Sequence, residues 1–348
     1  MMSKVYFIIL NYNGWRDTQE CLESALKLDY PNFQVIVVDN NSPNDSMSHL
    51  LAWAKGEELA TGNSPDFAHL STPPIKKPIE FVLYDKPTAL AGGNATQEVH
   101  LNNPIIFIQS DENRGFAAGN NIGTEYALKK GDAEYLWYLN NDTVVEPNAL
   151  SEYVKKANQY KENGQRVGII GAKLMYYHQP KLIQAIGGIY NKWLATTKHI
   201  GAFEEDIGQY DNEDIVKKIS YPVGASMLVD IAFIKDVGMM CEDYFLYFEE
   251  LDWVCRGKEK GWQIGYCWCI KIFHKEGGSI GSSSDGIQRS ELSDYYGLIN
   301  RIAFTRKFFP NMALIVRLSF LVVLFNRIKR RQFDRALQTI KFMLRRYE

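Results

Sequence analysis

The chain has 348 residues, 39 Lys and Arg against 41 Asp and Glu, a formal charge of -2, and 46% hydrophobic content. That balance excludes general polyanion binding by the whole molecule, so nucleic acid is not an expected partner. The length accommodates one large α/β domain with appendages or two small domains.

In chain order, Val5 to Leu10 is an unbroken apolar run, as expected of a strand buried on both faces of a parallel sheet. It is too short for a signal peptide, and Asn11-Tyr12-Asn13-Gly14 ends it. Cys21, Leu22, Ala25 and Leu26 recur at helical spacing between Thr18 and Leu28, and Val35 to Val38 forms a second apolar run closing on Asp39. Strand, helix, strand in under forty residues (1–40) predicts a right-handed βαβ unit. Residues 56–104, with Pro65, Pro73, Pro74, Pro78, Pro87 and Gly92-Gly93, read as an insertion holding one short strand at Ile79 to Leu83.

Regular structure resumes with a strand at Ile105 to Ile108, a helix opening near Phe116, a strand at Tyr135 to Leu139 and a helix from Pro147 to Tyr160. The first 150 residues therefore predict an open, doubly wound sheet with its ligand at the carboxyl ends of the strands. Beyond them, strands are expected at Val167 to Met175, Gln184 to Tyr190 and Gly224 to Val229, then a helix from Glu250 to Lys260 and an extended run from Gln263 to Phe273. The tail, residues 301–348, is basic and helical, and its apolar stretch Met312 to Phe325, interrupted by Arg317, falls short of a spanning helix. It suits either peripheral contact with an anionic inner-membrane surface or a helix pair that covers the core or a homodimer contact. Cys21, Cys241, Cys255, Cys267 and Cys269 are odd in number and scattered, which argues against a disulfide framework or zinc site and for a reducing, cytoplasmic setting.

Polar clusters end three of the apolar runs: Asn11-Tyr12-Asn13, Asp39-Asn40-Asn41-Ser42 and Asn140-Asn141-Asp142. In a parallel sheet these ends share one edge, so the clusters should converge on one crevice. Together with Glu112-Asn113-Arg114-Gly115-Phe116 and the run Tyr244 to Trp253, they resemble, in family order, the inverting glycosyltransferases of family 2, most closely a rhamnosyltransferase-like bacterial branch. The resemblance covers roughly residues 3–285 outside the insertion. It implies a GT-A fold: a Rossmann-like, mostly parallel sheet with a donor half (1–150), a smaller acceptor half (151–300) and a helical tail.

The resemblance also implies roles. Asp39 would contact the nucleoside, and Asn11, Tyr12, Asn13, Asn41, Asn113, Arg114, Asn140 and Asn141 would line the donor site. Asp39 could equally cap the following helix, and Asn113-Arg114-Gly115 could be a loop ion pair at a helix start. Asp142 occupies the place of a metal-binding acid and His274 that of a second ligand, implying Mg or Mn to neutralise a departing diphosphate. Glu250 fills the catalytic-base position, with Glu249 and Asp252 expected to raise its pKa and Asp252 to hold Arg256 or the acceptor. Gly224-Ala225-Ser226 reads as the floor of the sugar or acceptor pocket, or as a plain buried strand. The implied activity is transfer of a sugar from a UDP- or dTDP-sugar to a glycan or lipid-linked acceptor in cell-surface polysaccharide synthesis. A sugar-1-phosphate nucleotidylyltransferase is disfavoured because no Gly-rich basic loop follows the first strand. An inactive sugar-nucleotide-binding or scaffold protein remains the alternative, because Asn140-Asn141-Asp142 keeps only one acid.

Overall fold

The computed structural model describes residues 2–62, 64–101, 104–276 and 290–344. Gly277-Gly278-Ser279, the end of the family-like span, and Arg345, Arg346 and Glu348 of the tail lie outside the described residues. In chain order the strands are β1 Val5–Asn11, β2 Phe33–Asp39, β3 Phe81–Asp85, β4 Ile105–Gln109, β5 Tyr135–Asn140 and β6 Thr143–Val145. They continue with β7 Val167–Tyr176, β8 Gln179–Ala185, β9 Gly188–Asn191, β10 Thr196–His199, β11 Ser226–Asp230 and β12 Gln263–His274.

One ten-stranded sheet runs in the order β3-β4-β2-β1-β5-β11-β7-β12-β6, with β8 paired to β7; β9 and β10 form a separate hairpin. The first five strands of that order are parallel, and β11 is antiparallel to both β5 and β7. The chain winds outward from β1 through β2, then returns to place β5 on the other side of β1. That switch point opens a crevice at the carboxyl ends of β1 and β5.

The apolar runs are explained by burial on both faces. Along β1, Val5, Phe7 and Ile9 pack with Leu22, Trp53 and Tyr153. Tyr6 and Ile8 face the other way, toward Ile122, Tyr126 and Trp253. Helix Phe116–Lys130 lies close on this second face because Gly119 and Gly123 carry no Cβ. One added at Gly119 would fall 2.5 Å from Leu10 Cδ1, and one at Gly123 2.9 Å from Ile8 Cγ2. What Gly119 admits is therefore β1.

The insertion is more integrated than its composition suggests. Its strand is Phe81–Asp85, two residues later than expected, and it forms the sheet's parallel edge beside β4. Ile79 falls outside it because its N–H donates to Ala54 O at the end of helix Ser46–Lys55. The expected strand from Gln184 to Tyr190 is likewise two strands, broken at Ile186 and Gly187, where Gly187 takes φ +148°. The tail forms helices Glu291–Phe308, Ala313–Lys329 and Phe333–Leu344. With its preceding turn, Pro310–Lys329 is long and apolar enough to cross a membrane by length and composition, longer than the apolar stretch read from sequence.

The insertion is clamped to helix Trp15–Ala25 by one buried carboxylate. Glu23 accepts from Trp53 Nε1 (2.9 Å), Ile75 N (2.6 Å) and Lys77 Nζ (2.7 Å). Glu23→Ala should cost about 3 kcal/mol by leaving Lys77 and the Trp53 N–H unpaired. Urea unfolding checks this; a change under about 0.5 kcal/mol would show that the clamp carries no stability.

Candidate functional site

The three polar clusters do converge, and Asn11, fully buried at the end of β1, joins them. Its Nδ2 donates to Asp39 Oδ2 (3.4 Å) and Ser42 Oγ (3.3 Å) after β2. Its Oδ1 accepts from Thr18 Oγ1 (2.9 Å) on the following helix and from Asn141 Nδ2 (3.4 Å) after β5. Asn141 also donates to Gly14 O and Thr18 Oγ1. Asn11 and Asn141 therefore spend these side-chain groups inside the protein, shaping the crevice wall. Asn13 and Asn41 both adopt positive φ, 59° each, and stand exposed beside half-buried Tyr12.

Asp39 accepts from Ser42 N at 2.8 Å, bracing the turn after β2 rather than capping a helix, since the next helix starts at Ser46. Burial pushes its carboxyl above the usual range against the bonds from Ser42 and Asn11. Asn40, which sequence reasoning passed over, donates to Asn113 Oδ1 (2.9 Å) and Gly115 O (3.2 Å), fastening the next loop to β2. Arg114 stays half exposed, 3.4 Å from Glu242 and 3.7 Å from Glu112. Gly115 has φ +94°, and a Cβ there would fall 2.1 Å from Phe245 O; its glycine serves this close contact with the segment before Glu249.

Asp142 and His274 come together across β6 and the end of β12, with Oδ1 and Nε2 3.0 Å apart. Gln184 Oε1 lies 2.7 Å from His274 Nδ1, which makes Nδ1 the donor there and turns Nε2 toward Asp142 and Asn140. Burial alone would lower the His274 pKa, but the Asp142 carboxylate raises it. Burial likewise opposes ionised Asp142, while His274 and Lys275 hold it below the usual range. Lys275 fixes the turn, its N–H donating to Asp142 O (2.9 Å) and its Nζ to Asp17 and Glu20 (2.5 Å each). One hard oxygen and one oriented imidazole nitrogen are a donor pair that fits a divalent cation. Among the described residues no cluster of three or more His, Cys, Asp or Glu is present, so a cation there would draw further oxygens from ligand or water.

The three acids in the first turn of helix Glu249–Glu259 have separate fates. Glu250 Oε1 accepts from Gly224 N at 3.1 Å, and a Cβ on Gly224 would sit 2.3 Å from that oxygen. Burial pushes the Glu250 carboxyl up, against the bond from Gly224, and Glu249 beside it repels a second negative charge. Glu249 is buried with its Oε2 unpartnered, and burial together with Glu250 pushes its carboxyl well up. Asp252 is fully buried and accepts from Arg256 Nε (2.6 Å), Lys307 Nζ (2.5 Å) and Tyr244 OH (3.2 Å). It holds Arg256 as expected but is a positioning residue whose carboxylate is committed to these partners. Ser226 also faces the core, its Oγ accepting from Trp137 Nε1 and hydrogen-bonded to Tyr153 OH, and Ala225 packs in the same cluster. Of the expected pocket floor, Gly224 alone meets the acid at the site.

Gln184 and Lys275 join Asn40 as contributors that the sequence did not single out. Their partners lie 90, 255 and 73 residues away, and no local pattern marks them.

Residues 6–65 and 91–212, more than half of the chain, match glycosyl transferase family 2. The low-salt glycan biosynthesis hexosyltransferase Agl10 of Haloferax volcanii is 22% identical over 203 residues. That match spans 57% of this chain and 59% of the relative's length. The solved mannosyltransferase PcManGT of Pyrobaculum calidifontis, 12% identical, is similar over 99% of this chain and 86% of its own with a TM-score of 0.51. GalNAc-T7, also 12% identical with a TM-score of 0.51, covers 89% of this chain and 54% of its own. The fold is GT-A, and the chain belongs to glycosyl transferase family 2.

Proposed function

We propose that this protein is an inverting glycosyltransferase that moves a sugar from a UDP- or dTDP-sugar to an acceptor hydroxyl. The observation that carries the reading is the pairing of Asp142 and His274 at one side of the crevice with Glu250 held by Gly224 N at another. Family membership supports it, as does a relative named as a hexosyltransferase. PcManGT was solved with GDP-Man and Mn2+ and GalNAc-T7 with UDP, GalNAc and Mn2+, which supports a nucleotide-sugar donor and a divalent cation. A rhamnosyl donor, a glycan or lipid-linked acceptor, cell-surface polysaccharide synthesis in the cytoplasm and the division at residue 150 belong to the same proposal.

In this reading Asp39, Asn113 and Arg114 face the nucleoside and diphosphate. Asp142 and His274 hold the cation, which when bound offsets the negative charge of the diphosphate leaving group. Glu250 takes the acceptor's hydroxyl proton as that oxygen bonds to the anomeric carbon. The bond from that carbon to the diphosphate breaks, and its electron pair leaves with the nucleoside diphosphate. The Gly224 N–H fixes the carboxylate's direction, and burial makes it a stronger base than an exposed glutamate.

Glu250→Gln should lower transfer about a thousandfold while leaving nucleotide binding intact. Loss of nucleotide binding in that variant would sink the base assignment. A base must be unprotonated, so transfer by the native chain should rise with pH through a pKa above the usual glutamate range. That acid limb should be absent from the residual rate of Glu250→Gln. Calorimetry with UDP and dTDP should show binding that needs Mg2+ or Mn2+ and is lost in Asp142→Ala. Nucleotide-sugar binding without any turnover of donor would favour the inactive binding protein instead.

A further inference from the structure

Helix Ala313–Lys329 buries one side and exposes another that is equally apolar. Inward, Val316 and Phe320 pack with Leu298 and Ile302, and Arg327 donates to both oxygens of Asp294 (2.7 and 2.6 Å) and to Thr339 Oγ1. Outward, Leu314, Leu318, Leu321, Phe325 and Ile328 recur at i, i+4, i+7, i+11 and i+14, each between 50% and 69% exposed. The last helix repeats the pattern with Phe333, Leu337, Ile340 and Leu344 exposed. Two packed helices thus each present an apolar stripe, where a soluble monomer seldom leaves contiguous apolar patches of more than roughly a few hundred Å² open. Between residues 313 and 344 there are seven Lys and Arg and a single acid, Asp334. Lys329, Arg330 and Arg331 are exposed where the two helices turn.

We propose that this helix pair docks the protein on an anionic lipid bilayer, lying in the headgroup layer with its stripes toward the acyl chains. Charge decides the occupant. A second copy would bring the same cations against themselves with one acid per chain to offset them, whereas anionic headgroups complement them. The bonds from Arg327 to Asp294 and from Arg301 to Ser319 Oγ tie the inner side to the rest of the chain, so the helix is built to lie on a surface rather than to cross it. The same unit grips the segment before Glu250: Asn300 Nδ2 donates to Leu246 O (2.8 Å) and Tyr247 O (3.1 Å). A membrane-borne acceptor for Glu250 is a corollary that rests additionally on the transferase reading.

The full chain should co-sediment with vesicles of equal phosphatidylglycerol and phosphatidylcholine and stay in solution with phosphatidylcholine alone. Replacing Lys329, Arg330 and Arg331 together by Gln should weaken that partitioning roughly a hundredfold. Leu318→Glu with Phe325→Glu should weaken it at least about tenfold. Nucleotide binding measured on the same variants reports whether they are folded; it also separates the two readings, since vesicle binding without nucleotide binding would overturn the transferase alone. No binding to anionic vesicles would overturn the docking surface. So would a dimer, seen by light scattering, that Leu318→Glu dissociates, because the face would then belong to a second copy.

Discussion

The amide of Asn11 can be fully buried only if every polar atom on it finds a partner, and the crevice is built from the partners it found. An unpaired amide group in that position would cost about 1–3 kcal/mol, so the turns after β2 and β5 and the first turn of helix Trp15–Ala25 are drawn to it. Parallel pairing brings the strand ends to one edge; the Asn11 network then sets how the loops leave that edge. From there the geometry propagates outward. Asn40 fastens the Asn113 loop to β2, and Gly115 lets that loop touch Phe245 O, four residues ahead of Glu249. The loop after β4 and the segment before Glu249 are thus linked through a short chain of contacts.

The same logic of partners separates three acids that stand within four residues. Asp252 has two cations and a tyrosine hydroxyl, so it is a buried anion whose charge is neutralised in place. Glu249 has no such compensation for Oε2, and its burial favours the protonated form. Glu250 lies between these extremes, with one backbone N–H and partial exposure, which is the environment in which a carboxyl can both lose and accept a proton. Position on the helix produces the difference. Residues two apart on a helix point to different sides, so Asp252 turns toward Lys307 while Glu250 turns toward Gly224.

That spacing also explains where sequence reading ended. The buried strands and their polar ends were legible, because a parallel strand covered on both faces leaves an unbroken apolar run that stops where the chain meets the crevice. Asp142 with His274 and Glu250 with Gly224 were legible as residue types in order, and the fold brings each pair within contact. Burial, the larger cause of the Glu250 shift, was not legible, because it depends on what the fold packs around the helix start. Ser226 and Asn141 turn inward to satisfy the core, which for Ser226 is the buried strand that the sequence also allowed. Gln184 and Lys275 were invisible, and Asn40 was legible only as part of its cluster, because their work is long-range: each orients a residue that the sequence places far away.

The tail extends this dependence beyond the family-like region. Lys307 neutralises Asp252, and Asn300 holds two carbonyls of the segment leading to Phe248, where Tyr247 and Phe248 take φ of 68° and 78°. Two consecutive non-glycine residues in that conformation are strained and persist only where the surroundings hold them. Helix Glu291–Phe308 supplies that hold on one face and, on another, carries Asp294, the anchor of Arg327 and hence of the outer helix pair. The acid that would act as base is therefore presented by a strained turn whose supports belong to the same helical unit that exposes the apolar stripes. Whatever restrains that unit also restrains the turn that presents Glu250, so the outer helix pair and the geometry at that acid are mechanically one problem.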